Sequence, residues 1–205
     1  MTRLEVLDQV RKFLSDEKAP YLWSDDELNF YYDLAVKEFC KHTRIFLKTV
    51  EYSTEAGKFL YDFPSSLIDI DFVSVEGRDL DKIPYEFISS HKGILGEVRW
   101  FCLDYRPDKV LLHYAPESDG MKVEITGPAI PEGAEIDSAV PVKYSHYLVD
   151  GVIATAFTKT DTETISPLAE KYLALWMADI EKVKRDLERQ YQHYINRTII
   201  PKGLL

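Results

Sequence analysis

A chain of 205 residues, 45% of them hydrophobic, is long enough for one large domain or a domain with an insertion, and apolar enough to bury a core. Its formal net charge of −10 excludes a protein whose main work is gripping nucleic acid, but not one that surrounds DNA without holding it, because like charge keeps DNA mobile. No apolar run approaches a membrane span, and Met1-Thr2-Arg3-Leu4-Glu5 is too charged for a signal peptide, so use in a cytoplasm, or assembly there into something larger, is expected.

Thr2 and Glu5 form a capping-box pair, which predicts a first helix from Arg3 to about Ser15 with Val6, Val10, Phe13 and Leu14 as its apolar stripe. Asp16 to Tyr21 contains Pro20 and reads as a connector. Ser24 and Glu27 form a second capping box. Trp23 and Leu28 flank it at the two positions of a hydrophobic staple. Leu28, Tyr31, Tyr32, Ala35 and Phe39 continue the apolar face to about Thr43. Helices joined this closely are expected to pack as a hairpin.

The period then changes from helical to alternating. Phe46 to Ser53 and Lys58 to Phe63, joined at Glu55-Ala56-Gly57, read as a β-hairpin. Ile68, Ile70 and Phe72 alternate with Asp69 and Asp71, which predicts a half-buried strand with a bulge or bend near Phe72. Arg78 to Leu80 is a short strand after the turn at Glu76-Gly77. Pro84 to Ile88 reads as one helical turn, and His91 to Gly96 as a loop. Val98 to Leu103, Lys109 to Tyr114 and Lys122 to Thr126 complete a compact, mostly antiparallel sandwich or barrel.

Gly127 to Val140 is too rich in proline and glycine for an element. Pro141 opens a third helix through Tyr144, Leu148, Val152 and Phe157 to about Thr158. Ser166-Pro167 caps a fourth, with Leu168, Tyr172, Leu175, Trp176, Ile180, Val183, Leu187 and Tyr191 apolar. Past Val183 charges dominate, so this end is expected to project into solvent or against a partner. The segment from Glu181 to Arg189 has two readings: a solvated face laced with pairs such as Glu181–Arg185, or a helix docking on an assembly partner through residues such as Arg185 and Arg189. The last residues hold Ile199, Ile200, Leu204 and Leu205 around Pro201 and Gly203, an apolar segment with no element to join and a candidate docking peptide.

The expected fold class is therefore α+β. Two helical hairpins, residues 1–45 and 141–195, close as one four-helix bundle around a β-insertion at 46–140, with an extended tail at 196–205.

Catalytic signatures are missing from the sequence. It has no Gly-rich phosphate loop, G-x-S-x-G elbow or H-E-x-x-H. His42, His91, His113, His146 and His193 are scattered, and Cys40 and Cys102 read as buried free thiols. Asp69 and Asp71 suit a solvated strand face better than acid–base work, and Asp161 to Glu163 suit a helix N-terminus. Phe30, Tyr31 and Tyr32 fit a core face better than a stacking platform. Asn196-Arg197-Thr198 matches a glycosylation sequon, idle without secretion. No enzyme activity, cofactor or metal is expected.

The order of these motifs resembles the head-to-tail adaptor (connector, head completion) proteins of tailed bacteriophages. The group includes tail tubular protein A and the adaptors of gene transfer agents. The resemblance rests on Trp23-Ser24-Asp25-Asp26-Glu27-Leu28 opening a helix that ends near Arg44, then the strand at Phe46 to Ser53, Ala56-Gly57 and Tyr61-Asp62-Phe63-Pro64. It continues through Ile68 to Val75, Gly77-Arg78-Asp79-Leu80, Tyr114-Ala115-Pro116 and Pro141, covering roughly Trp23 to Tyr191. It implies a virion protein assembled in the host cytoplasm, forming a ring, dodecameric in the family, between the portal protein and the next tail or nozzle component. Genomic DNA would pass through without specific binding, and no membrane would be involved. The C-terminal segment, here Thr198 to Leu205, would reach the portal. Two other readings remain: a tail or baseplate connector of the same particle, and a ligand-binding β-module or small enzyme, for which Trp100 and Tyr114 on a concave sheet face would speak.

Overall fold

The computed structural model describes residues 1–88, 94–157 and 167–198, the side chains of residues 88 and 191–198 excepted. Among the described residues the helices are α1 (Arg3–Leu14), α2 (Asp25–Thr43), α3 (Tyr85–Ile88), α4 (Ile136–Ala139), α5 (Leu148–Phe157) and α6 (Pro167–Thr198). The strands are β1 (Leu47–Ser53), β2 (Leu60–Asp62), β3 (Phe72–Val75), β4 (Arg78–Asp79), β5 (Asp81–Lys82), β6 (Trp100–Cys102), β7 (Lys109–Leu112) and β8 (Lys122–Pro128). The architecture is α+β. The chain divides into two compact units, one made of residues up to Phe46 and from Pro131 onward, the other of Leu47–Ile130.

In the helical unit both capping boxes form. The Glu5 amide donates to Thr2 Oγ1 at 3.3 Å while the Thr2 amide donates to Glu5 Oε2 at 2.7 Å. Ser24 and Glu27 reciprocate in the same way at 3.3 and 2.9 Å. Trp23 and Leu28 are both buried in one hydrophobic cluster with Val6, Val10, Tyr32, Val36, Phe39, Leu148, Val152, Ile153, Trp176, Ile180 and Val183. That cluster draws on α1, α2, α5 and α6, so each helix hides its apolar stripe against the others.

Polar contacts then set how α1 and α2 meet. Asp16, only 6% exposed, accepts the amides of Leu22 and Trp23 at 2.7 and 3.2 Å. Arg11 bonds the Asp16 carboxylate at 2.9 Å, the Trp23 carbonyl at 3.2 Å and the Asp25 carboxylate at 2.6 Å. The connector is thus wrapped around a half-hidden ion pair. Arg3 joins three helices: it bonds Asp33 of α2 at 2.7 Å, Asn29 of α2 at 3.2 Å and Asp137 of α4 at 2.6 Å.

Several expectations in this unit are corrected. The third helix does not start at Pro141. A turn and a short 3-10 stretch at Ser145–Tyr147 come first, and α5 begins at Leu148. The Tyr144 amide closes that turn on the Pro141 carbonyl at 2.8 Å. The region judged irregular contains α4. Thr158, Ser166 and the Asp161 to Glu163 cluster lie outside the described residues. On α6, Leu168 and Leu175 are exposed, while Ala169 is buried and joins the side that Trp176, Ile180 and Val183 press inward. A 100° step places Leu168 and Leu175 outside that arc. Phe13 and Phe30 are exposed as well.

The second unit holds two four-stranded sheets, ordered β1-β8-β3-β4 and β2-β7-β6-β5. All pairings are antiparallel except β5 with β6. The β1–β2 hairpin does not form. β1 pairs with β8 along its whole length, from Leu47↔Pro128 to Ser53↔Lys122, and β2 pairs with β7 in the other sheet. The chain changes sheet after Ser53. Thr54 stays bonded to Met121 and Gly120, and the Gly57 amide donates across to the Pro116 carbonyl at 3.0 Å.

The strand expected at Ile68 to Val75 starts only at Phe72. Ile68 and Phe72 are exposed, and Ile70, Val73 and Val75 are buried. The cause lies opposite: the Asp69 carbonyl rests directly on Gly127, so close that a Cβ there would stand 2.0 Å from the oxygen. The contact bends the chain while the Ile68 and Asp71 amides still reach the Pro128 and Thr126 carbonyls at 2.7 and 3.0 Å. The β3–β4 turn forms as read, with Glu76 and Gly77 both at positive φ, 50° and 73°. Tyr52 and Tyr61 meet edge to face at 6.4 Å between the sheets. Leu111 and Cys102 face the other way, under Ile83, Tyr85 and Tyr105.

Candidate docking surfaces

The sequence places its docking residues on α6 and the segment after it. Over its first half α6 is held by shape. Trp176 presses against α5 at Gly151, where an added Cβ would stand 2.6 Å from Cε2 and 2.8 Å from Nε1 of the indole. Ile180 and Val183 follow at helical spacing, both fully buried.

The helix does not leave the core at Val183. Leu187 is still packed against the cluster, and Gln190 Nε2 donates to Tyr144 Oη at 3.4 Å. The opposite side carries the charges. Lys182, Arg185 and Arg189 recur at three- and four-residue spacing and so share one stripe. Lys182 sits 5.2 Å over the Tyr147 ring. Arg189 is 78% exposed, with Asp186 3.9 Å away. The Glu181–Arg185 pair does not form between carboxylate and guanidinium. Lys184 takes the Glu181 carboxylate at 2.9 Å, and Arg185 Nε donates instead to the Glu181 carbonyl at 3.2 Å. Arg185 and Arg189 therefore lie on an exposed face. Ile199, Ile200, Leu204 and Leu205 lie outside the described residues.

Facing carboxylates mark the α5–α6 contact. Burial, then the charge of Asp179, raises the Asp150 pKa. Burial also raises that of Asp179, against the opposing pull of Lys182 and His146. No sequence motif signals this pair, because its members lie on different helices.

The β-unit carries open concavities. One of about 480 Å³ is lined by Val75, Arg78, Gly96, Glu97, Glu117 and Met121, among others. Within it Arg78 pairs with Glu97, and Arg78 Nη2 donates to the Val98 carbonyl at 2.6 Å. Arg99 holds Glu97 at 2.7 Å. The hydrogen bond from Arg78, then that from Arg99, holds the Glu97 carboxyl down at about 2. Trp100 and Tyr114 do not line this space; both pack on the buried His113 ring, at 4.6 and 4.2 Å.

The remaining candidates resolve plainly. Cys40 and Cys102 are buried and free, with their thiols pushed up to about 12 and about 11 by burial. Tyr32 is buried, Tyr31 half-buried and Phe30 exposed. Asp69 and Asp71 do not share a strand face. Among the described residues no three His, Cys, Asp or Glu gather as a metal site, and no helix is long and apolar enough to cross a membrane. His91 and the His193 side chain lie outside the described residues.

The chain thus combines a capped helical core, a β-unit inserted in sequence between the two parts of that core, and exposed charge along a long final helix. The family model for SU10 adaptor protein matches residues 1–199. The chain belongs to this family of phage head-to-tail adaptors and is a structural component of the virion. No curated protein matches it.

Proposed function

We infer that this adaptor forms a ring between the portal and the tail, prolongs the DNA channel and presents a platform to the next tail component. The observation that carries the reading is α6. It runs 32 residues, about 48 Å at the helical rise, on a core that ends near Leu187. Its outer stripe offers Lys182, Arg185 and Arg189, and the chain continues past it into Ile199, Ile200, Leu204 and Leu205. An apolar peptide beside a cationic stripe suits a hydrophobic groove with an acidic rim, and we assign that groove to the portal. The four long helices would act in this ring as one four-helix bundle, the rigid body of each subunit. The acidic balance would let genomic DNA slide through without specific binding. Neither a cofactor nor a catalytic step enters this reading.

Capture on immobilised portal particles tests it. Replacing Ile199, Ile200, Leu204 and Leu205 together by Ser should abolish capture and leave the melting temperature unchanged. Arg185→Glu with Arg189→Glu should weaken capture by at least about tenfold, the scale of losing two paired charges. Undiminished capture by both variants would refute the docking assignment.

A further inference from the structure

The seven-residue strand β1 is an edge of its sheet: β8 pairs with one side, and among the described residues no strand pairs with the other. The register identifies which backbone groups are left over. The Asp71 and Glu76 amides donate to the Thr126 and Lys122 carbonyls, so the even-numbered residues of β8 turn their backbone towards β3. Val123, Ile125 and Gly127 therefore turn theirs towards β1, opposite Tyr52, Val50 and Lys48. The N–H and C=O groups of Leu47, Thr49, Glu51 and Ser53 point away from the sheet.

Proteins usually blunt such an edge with proline, a bulge, charged side chains or a very short strand. β1 has no bulge or proline, and its register is continuous over all seven pairs; its two charges, Lys48 and Glu51, are of opposite sign. The other sheet edges, β2, β4 and β5, are two or three residues long. No described edge but a second β1 can pair with β1 over its full length.

We propose that two copies of the free protein join through β1, antiparallel about a two-fold axis at Val50, in one continuous eight-stranded sheet. Pairing all seven residues permits one register. Val50 meets Val50, Thr49 meets Glu51, Lys48 meets Tyr52 and Leu47 meets Ser53. The outward-turned groups of Leu47, Thr49, Glu51 and Ser53 then meet one another, as an antiparallel ladder requires. No like charges stand directly opposite, and each Glu51 is already held by Lys122 at 2.8 Å. The contact uses the same patch on both copies and closes on itself, so it stops at a dimer. It is a form of the protein before ring assembly and stands independently of how the ring is built.

Sedimentation velocity of the full chain over a concentration series tests the pairing. A monomer–dimer equilibrium is expected. Thr49→Pro removes an outward N–H without touching the bonds to β8, and should weaken the dimer at least about tenfold. Thr49→Val keeps that N–H and should preserve the dimer. Val50→Cys provides a readout if the proline variant misfolds. The two Val50 residues form a non-hydrogen-bonded pair at the axis, where Cα atoms approach to about 4.5 Å, so mild oxidation should yield a covalent dimer. Cys40 and Cys102, both buried, do not compete. A wild-type chain that stays monomeric at high concentration, a dimer undiminished by Thr49→Pro, or Val50→Cys cross-linking no faster than a cysteine at exposed Ser138 would each overturn the proposal.

Discussion

The indole of Trp176 on α6 rests on the bare Cα of Gly151 on α5, with no room between them for a methyl group. A glycine inside a helix normally costs about 1 kcal/mol against alanine. Here the gain from Gly151→Ala is outweighed by overpacking, which costs about 1–3 kcal/mol when a ring must move. The substitution should lower stability by up to about 2 kcal/mol in urea unfolding, the overpacking cost less the propensity gain. Because Phe lacks the crowded indole atoms, the cost should shrink in a Trp176→Phe background, and a double-mutant cycle measures that coupling.

Asp16 and Arg11 hold the α1–α2 connector by a pair that is largely out of solvent, at 6% and 14% side-chain exposure. Asp16→Ala removes the acceptor for the Leu22 and Trp23 amides and leaves Arg11 with the Asp25 carboxylate and the Trp23 carbonyl. Breaking one side of a buried pair costs about 3–5 kcal/mol; the remaining Asp25 contact brings the expected loss to about 2–4 kcal/mol. Chemical denaturation followed by Trp fluorescence reads it directly.

At Gly127 the obstacle is backbone. A Cβ there would stand 2.0 Å from the Asp69 carbonyl oxygen, which no rotamer relieves. Gly127→Ala should disrupt the β1–β8–β3 sheet. Hydrogen exchange should rise at Val50, Tyr52 and Val73, with little change at Ile153 and Ile180. Equal loss of protection in both units would contradict this.

Two carboxylates should move stability in opposite senses with pH. Glu97 is held down at about 2 by Arg78 and then by Arg99, so the folded state carries fewer protons than the unfolded state between its ordinary value of 4.5 and about 2. Its contribution is present above 4.5 and lost as pH falls towards 2; Arg78→Ala should reduce that loss, and the Arg78→Ala, Arg99→Ala double variant should remove it. Asp150 is raised by burial and by Asp179, so its ionised form costs stability above the folded pKa. That cost is relieved as pH falls through the raised value. Asp150→Asn should therefore raise the melting temperature at pH 7, and the difference should vanish below about 3.8.

Local chemistry was the legible part of this fold. Both capping boxes and the Glu76-Gly77 turn are set by residues within a few positions of each other, and all three formed, while Trp23 and Leu28 both lie in the helical core. Features decided at long range were not legible. β1 chose β8, seventy-odd residues on, over adjacent β2, because alternation marks a strand without naming its partner. The Ile68–Asp71 bend depends on Gly127 across the sheet. Leu168 and Leu175 have the period of a core stripe yet lie exposed, because the positions of Ala169 and Trp176 decide which arc of α6 faces inward. Arg185 and Arg189 were found as charges, but their partners came from the backbone of Glu181 and from Asp186 rather than from the expected pair.

The most direct test of the adaptor account is cryo-electron microscopy of portal particles mixed with the purified chain or with a chain ending at Arg197. The account predicts a closed ring of subunits beneath the portal with the full chain, and bare portals with the shortened one. Bare portals with both, or identical rings with both, would contradict it.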